Sequence, residues 1–424
     1  MTSNNPKQHL SLFALAMMAI ISVDSLRNLP IAAQYGFSLV TFYTIAGLFF
    51  FLPLTWVTSQ LATQYPKMGG SYIWIREAFG HGWGHFAVCL QWLYNIIWYP
   101  TIFAFITATL AALITEDLEH SKWFVLSTSL ILFWVLSFVH SRGIRFSSWI
   151  SIVSALIGTL IPMMIIIALA LFWLVSGKTS ATVLNGHSIW PSLHDMKNMG
   201  FFSNILFSLM GIEVIAVHAG HVLNPREAYP KALTISAILI LLTLAFSSMA
   251  LCVIMPVEKI TLVTGLMDML ELFFAAYHLK HISWLIAVCI MIGGLGIASS
   301  WMIGLARSLH ISLSSMNVPN WMQTLNRHQV PAGILFFQAV VYSLLLFSFL
   351  CFTSLNDAYW VLSAATAQFA LLYYVILFCA AMKLCRQRKQ TRMNHMLARV
   401  LPLLGCIMCV IGLIAGFIPP DLSF

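Results

Sequence analysis

The chain has 424 residues, of which 60% are hydrophobic and 8% charged, with a formal net charge of +8. Soluble proteins carry about 25% charged residues, so this composition excludes a water-soluble globular fold and predicts an all-α polytopic membrane protein. The basic balance points to nucleic acid only if the charges cluster on one surface, and here they follow membrane topology instead.

Apolar runs of the ~20 residues needed to cross a bilayer fall at 10–36, 38–64, 85–114, 123–140, 147–175, 199–220, 232–254, 282–307, 331–351, 356–382 and 398–418. That predicts eleven spans. The run Leu262–Leu279 carries Asp268 and Glu271 and reads as an amphipathic interfacial helix. With the N-terminus in the cytoplasm, fifteen Lys and Arg fall inside, from Lys7 to Arg399, and five outside: Lys122, Lys178, Lys197, Lys259 and Lys280. That asymmetry matches the positive-inside rule, and no nucleic-acid partner is expected. The first run is too long and too charged for a cleavable leader and lacks its cleavage site. The Cys406/Cys409 pair lies within a span and reads as packing, and no metal or cofactor is expected.

The first span is broken by polar residues at Ser22-Val23-Asp24-Ser25-Leu26-Arg27-Asn28-Leu29-Pro30. Charge at the membrane centre costs roughly 3 kcal/mol per residue on insertion scales. A helix that comes apart beside a polar cavity accounts for it; a simple kink at Pro30 is the alternative. The sixth span is interrupted in the same way at Met210-Gly211-Ile212-Glu213. Broken helices in corresponding positions of two halves point to a transporter site. Each half has five spans, and an odd number inverts the second relative to the first. The expected division is 1–177, 178–385, and 386–424 for the eleventh span and C-terminus. This repeat rests on hydropathy and topology, since the halves share no evident residue identity.

These segments resemble a known family. Leu26-Arg27-Asn28-Leu29-Pro30 with Gln34-Tyr35-Gly36-Phe37-Ser38 is similar to the start of amino acid permeases of the amino acid–polyamine–organocation superfamily. Within it, the bacterial glutamate/GABA antiporters look nearest. The likeness continues at Tyr65-Pro66-Lys67-Met68-Gly69-Gly70-Ser71-Tyr72, at Gln91-Trp92-Leu93-Tyr94-Asn95 and at Trp98-Tyr99-Pro100. It is strongest from Met210-Gly211-Ile212-Glu213 to Asn224-Pro225-Arg226-Glu227-Ala228-Tyr229-Pro230-Lys231-Ala232. The resemblance implies a LeuT-like 5+5 inverted repeat with discontinuous helices 1 and 6, in the inner membrane, exchanging small-molecule amino acid substrates as an antiporter by alternating access, without enzymatic chemistry. Family members usually have twelve spans. This chain stops after the eleventh, which opens the expectation of a shortened transporter or a transport-dead sensor or partner subunit. Assembly as a homodimer is a further option. The family's G-S-G-type unwound segment is replaced by Ser22-Val23-Asp24-Ser25.

A free amino acid is a zwitterion, and broken helices offer donors to its carboxylate and carbonyls to its ammonium. The expected binding set is therefore backbone at Ser22, Val23, Asp24 and Ser25 and at Gly211 and Ile212, with Arg27, Asn95, Trp98 and Trp301. Trp301 is included because it resembles the family's aromatic over the substrate. Asp24 and Arg27, three apart, either pair with each other or act separately, Arg27 on a substrate carboxylate and Asp24 in coupling. Glu213, a lone carboxyl at membrane depth, is the candidate for proton-linked gating, with His218 beside it. For the aromatics and small polar residues, helix packing is the competing explanation. Coupling stays open between exchange and Na⁺- or H⁺-driven symport. The lysine that stands in for sodium in some relatives has no counterpart in the fifth span.

Overall fold

The structure, a computed structural model, describes residues 10–65, 69–115, 118, 121–143, 148–183, 187–191, 199–222, 224–314, 316, 318–386 and 392–418. The described residues are almost entirely helical. Ten helices are long and apolar enough to cross a membrane: Leu12–Ala33, Gly36–Gln64, His81–Ala112, Lys122–Ser141, Ile150–Val175, Pro225–Ile254, Lys280–Leu313, Ala332–Cys351, Leu355–Arg386 and Met396–Ala415. The apolar stretch Gly200–Ala216 is shorter. Numbered in chain order, with Gly200–Ala216 as the sixth, these are segments 1 to 11. The stretch 262–279 folds as a short helix, Gly265–Ala276, with one buried apolar face.

Segments 1 and 6 are interrupted, and the reasons are local. Ser11 caps segment 1, accepting from the Ala14 N–H, and its α-helix runs from Leu12 to Val23. Asp24 and Ser25 are extended, a 3₁₀ turn covers Leu26–Asn28, and helix resumes at Leu29–Ala33. The gap is narrower than the sequence implies, since Ser22 and Val23 stay helical. Pro30 sits in the first turn of the resumed helix, where no N–H is needed. It starts the second piece and does not cause the break. Segment 6 is α-helical only over Gly200–Ser208, then continues as 3₁₀ from Ile212 to His221. Gly211 separates the two parts at φ +114°, a conformation L side chains rarely adopt. A Cβ on Gly211 would lie 2.6 Å from the Ser22 carbonyl oxygen and 2.6 Å from the Trp301 ring, so the two breaks touch at this residue.

The interrupted segments lie inside the bundle. Segment 1 packs on segments 5, 7 and 8, and segment 10 packs on segments 3, 6 and 11. Segments 5 and 8 cross at bare backbone, where a Cβ on Gly158 would stand 2.2 Å from the Gly293 nitrogen. Helices associate in lipid through such close approaches of small residues. The outer segments 4, 5, 9 and 11 keep Leu, Ile, Phe and Met exposed, among them Ile131, Met164, Leu344 and Ile414. A membrane protein needs that surface facing acyl chains.

Candidate functional site

The two breaks border one cavity of about 30 Å³, lined by Ser22, Val23, Ser25, Arg27, Asn28, Tyr94, Asn95, Trp98, Phe207, Met210, Ile297 and Trp301. A single water needs roughly 10–15 Å³ on this measure, so the space holds about two waters and no amino acid. Seven of the residues expected from sequence line it: Ser22, Val23, Ser25, Arg27, Asn95, Trp98 and Trp301. Asp24, Gly211, Ile212 and Glu213 stand behind its wall. The side chain of His218 lies outside the described residues.

Arg27 is 1% exposed. Its Nη1, with two protons, lies 2.9 Å from Thr101 Oγ1, 3.2 Å from Tyr359 OH and 3.4 Å from Ser363 Oγ, and its Nη2 donates to Asn28 Oδ1 at 3.0 Å. Every acceptor is neutral. Rings of Trp98, Phe207 and Tyr359 surround the guanidinium, with centroids 5.5–5.9 Å from its carbon. Among the described residues no carboxylate lies within ion-pairing distance of it, so the Asp24–Arg27 pair does not form. The two side chains leave segment 1 in different directions, Arg27 toward segments 3 and 10 and Asp24 toward segment 7. The Arg27 Nε–H has no partner. With one Nη2 proton also unused, donors remain for a carboxylate fork.

Trp301 closes another side. Its Nε1 donates to the Ser22 carbonyl at 3.0 Å, capturing an acceptor near the end of the first helical piece. Its ring meets Tyr94 and Trp98 at 6.3 and 6.4 Å between centroids. Asn95 donates to Gln91 O in its own helix at 3.1 Å, so its amide shapes the wall by holding position.

Behind the second break, the Gly211 N–H donates to Tyr374 OH at 2.8 Å, and that hydroxyl donates to Glu213 Oε2 at 2.7 Å. Gln91 Nε2 reaches Glu213 Oε1 at 3.4 Å. Glu213, 1% exposed, thus ties the unwound part of segment 6 to segments 10 and 3. Behind the first break, Asp24 Oδ2 meets Thr243 Oγ1 at 2.8 Å. Sequence reasoning missed Tyr359 and Tyr374 on segment 10, and Asn28, Tyr94, Phe207, Met210 and Ile297 in the cavity wall. An apolar residue in an apolar span carries no sign of which way it faces.

A family model described as Amino acid permease matches residues 10–424. An uncharacterized transporter of Legionella pneumophila is 42% identical, covering 99% of this chain and 91% of its own. A glutamate/gamma-aminobutyrate antiporter of Lactococcus lactis is 25% identical over 80% of this chain and 68% of its own. A probable agmatine/putrescine antiporter of the same species is 27% identical over 90% and 80%. Among solved structures, the nucleobase-cation-symport-1 family transporter Mhp1, in a closed conformation with bromovinylhydantoin bound, superposes with a TM-score of 0.57 at 15% identity, covering 97% of this chain and 93% of that one. That likeness concerns the fold. Matched by its family model over nearly its whole length, the chain is a multi-pass membrane protein belonging to the amino acid permeases of the amino acid–polyamine–organocation superfamily.

Proposed function

We propose that the chain is a secondary amino acid transporter, working by alternating access as an exchanger. The observation that carries this reading is Arg27: a buried cation with no carboxylate partner among the described residues and free N–H donors, in the wall of a cavity where two helices break. A buried charge left without a counterion is costly, and a substrate carboxylate would supply one. The proposed site uses Arg27, Ser25 and backbone at Ser22 and Val23, with Trp98 and Trp301 as walls and Asn95 as support. Gly211 and Ile212 form the hinge opposite, and Glu213 locks it. Because the cavity is too small for an amino acid, Trp98, Trp301, Tyr94 and Phe207 must part to admit one.

We read segments 1–5 and 6–10 as two inverted five-helix repeats, with segment 6 as the eleventh span, the N-terminus in the cytoplasm and an inner-membrane location. The charge asymmetry of the loops supports this topology. The antiporter names of two relatives support exchange. Proton-linked transport is a second reading, favoured by the surroundings of Asp24. A counterflow screen tests the first: vesicles containing the purified protein and loaded with each of the twenty amino acids or their decarboxylation products should take up the same labelled compound for at least one of them. Silence across the whole panel overturns exchange of amino acids.

A further inference from the structure

We propose that Asp24 is a proton-binding site of the transport cycle, protonated while the cavity is closed and emptied when segment 1 moves away from segment 7. The proposal rests on the transport reading above.

Asp24 is the first residue after the helical part of segment 1 and is 1% exposed. Its carboxyl turns from the cavity to segment 7. There, Thr243 Oγ1 lies 2.8 Å from Asp24 Oδ2 and 2.8 Å from the Leu239 carbonyl oxygen. A hydroxyl has one proton and cannot give it to both. If Asp24 is charged, Thr243 must turn to it and abandon Leu239. If Asp24 is protonated, it donates to Thr243 Oγ1, which donates onward to Leu239, and each contact is satisfied in one direction. The other carboxyl oxygen, Oδ1, has no donor. A buried carboxylate needs donors at both oxygens, whereas the bare C=O of a carboxylic acid leaves far less unsatisfied.

The neighbours do not supply a counter-charge. Segments 5 and 8 contain no Lys, Arg, His, Asp or Glu over residues 150–175 and 283–306. Segment 7 presents the buried hydroxyls Ser247 and Ser248 and, farther along, the thiol of Cys252, which lies 3.5 Å from Ala33 O and 3.7 Å from Ser248 O. Arg27 faces segments 3 and 10, and Glu213 is held by Tyr374 and Gln91. On segment 2, the buried Tyr43 lines a cleft together with Asn28, four residues on from Asp24.

Tyr43 also marks a route. Its hydroxyl and both amide atoms of Asn204 are buried without a partner. Together with Asn28 and Ser208 these residues line a narrow cleft, and Asn28 lines the central cavity as well. The cleft with its unpartnered Tyr43 and Asn204 atoms therefore meets the cavity at Asn28, four residues on from Asp24. Opening segment 1 against segment 7 would wet this route and let the proton leave to water.

The test is infrared spectroscopy of the purified full chain in lipid at neutral pH. The wild type should show the C=O stretch of a buried protonated carboxylic acid, and Asp24→Asn should lose it. Thr243→Val should keep the band but shift it toward a free carbonyl. It also serves if Asp24→Asn fails to fold. An unchanged acid band in Asp24→Asn, or no shift in Thr243→Val, overturns the proposal. These readings do not require transport, so a silent counterflow screen would overturn exchange and leave them standing. In vesicles that do exchange, the wild-type rate should vary with pH and the Asp24→Asn rate should not. A variant that keeps the wild-type pH profile also overturns it.

Discussion

Each break keeps one buried carboxyl behind it, and the two are furnished in opposite ways. At Glu213 the donors point at the acid: Gly211 N–H to Tyr374 OH, Tyr374 OH to Oε2, and Gln91 Nε2 to Oε1. That end is built to hold a carboxylate and, through it, the hinge. At Asp24 one oxygen is bare, and the hydroxyl at the other already has a second acceptor. That end is built for an acid with its proton on. Sequence alone makes Glu213 the natural proton-linked residue. Under the proposal above that part falls to Asp24, and Glu213 takes a locking role. A buried carboxyl is thus read from the donors around it as well as from its depth.

The comparison can be broken at several points. The largest effect is expected from Gly211→Ala, which forces a side chain into a positive-φ position against the Ser22 carbonyl and the Trp301 ring. Strain and overpacking should together cost roughly 3 kcal/mol or more, seen as a large drop in thermal stability. An unshifted melting curve would mean the breaks are not locked together. Next is Arg27→Ala. Truncating one side of a buried charge pair costs at least ~2 kcal/mol, so affinity for an exchanged substrate should fall about thirty-fold or more. Loss of folding with affinity intact in the surviving fraction would make Arg27 structural.

Smaller effects sharpen the contrast. Tyr374→Phe removes the hydroxyl between Gly211 and Glu213 and should destabilise by ~1–3 kcal/mol without moving the pH dependence of transport. Glu213→Gln preserves shape, so its pH profile should follow the wild type while Asp24→Asn goes flat; the reverse result would return proton linkage to Glu213. Trp301→Phe should be mildest. It keeps the ring wall and loses the bond to Ser22 O, worth about 0.5–1.5 kcal/mol, with affinity falling more than melting temperature.

Much of this was legible in the chain because membranes punish irregularity. Asp24, Arg27, Gly211 and Glu213 stand out in otherwise apolar runs, and Trp301 stood out by likeness to the family. What stayed hidden was direction. Nothing local says that Asp24 faces Thr243, 219 residues away, or that Glu213 faces Tyr374, 161 residues away. On segment 10, Ser363 Oγ lies 3.4 Å from Arg27 Nη1, whereas Thr366 bonds its own helix at Leu362 O. The tyrosines that matter there read as ordinary packing. The extent of segment 6 was legible too, 199–220 against helical residues 200–221, but an apolar run does not reveal where α-helix gives way to 3₁₀.

The central claim is that the gap between the two broken helices holds the substrate. The most direct measurement is an electron-density map of the protein with an amino acid that passes the counterflow screen. The account predicts density in the cavity lined by Ser22, Val23, Ser25 and Met210, with a carboxylate on the free N–H groups of Arg27 and the Trp301 ring displaced. Ligand density elsewhere, or segments 1 and 6 running as unbroken helices, would contradict it.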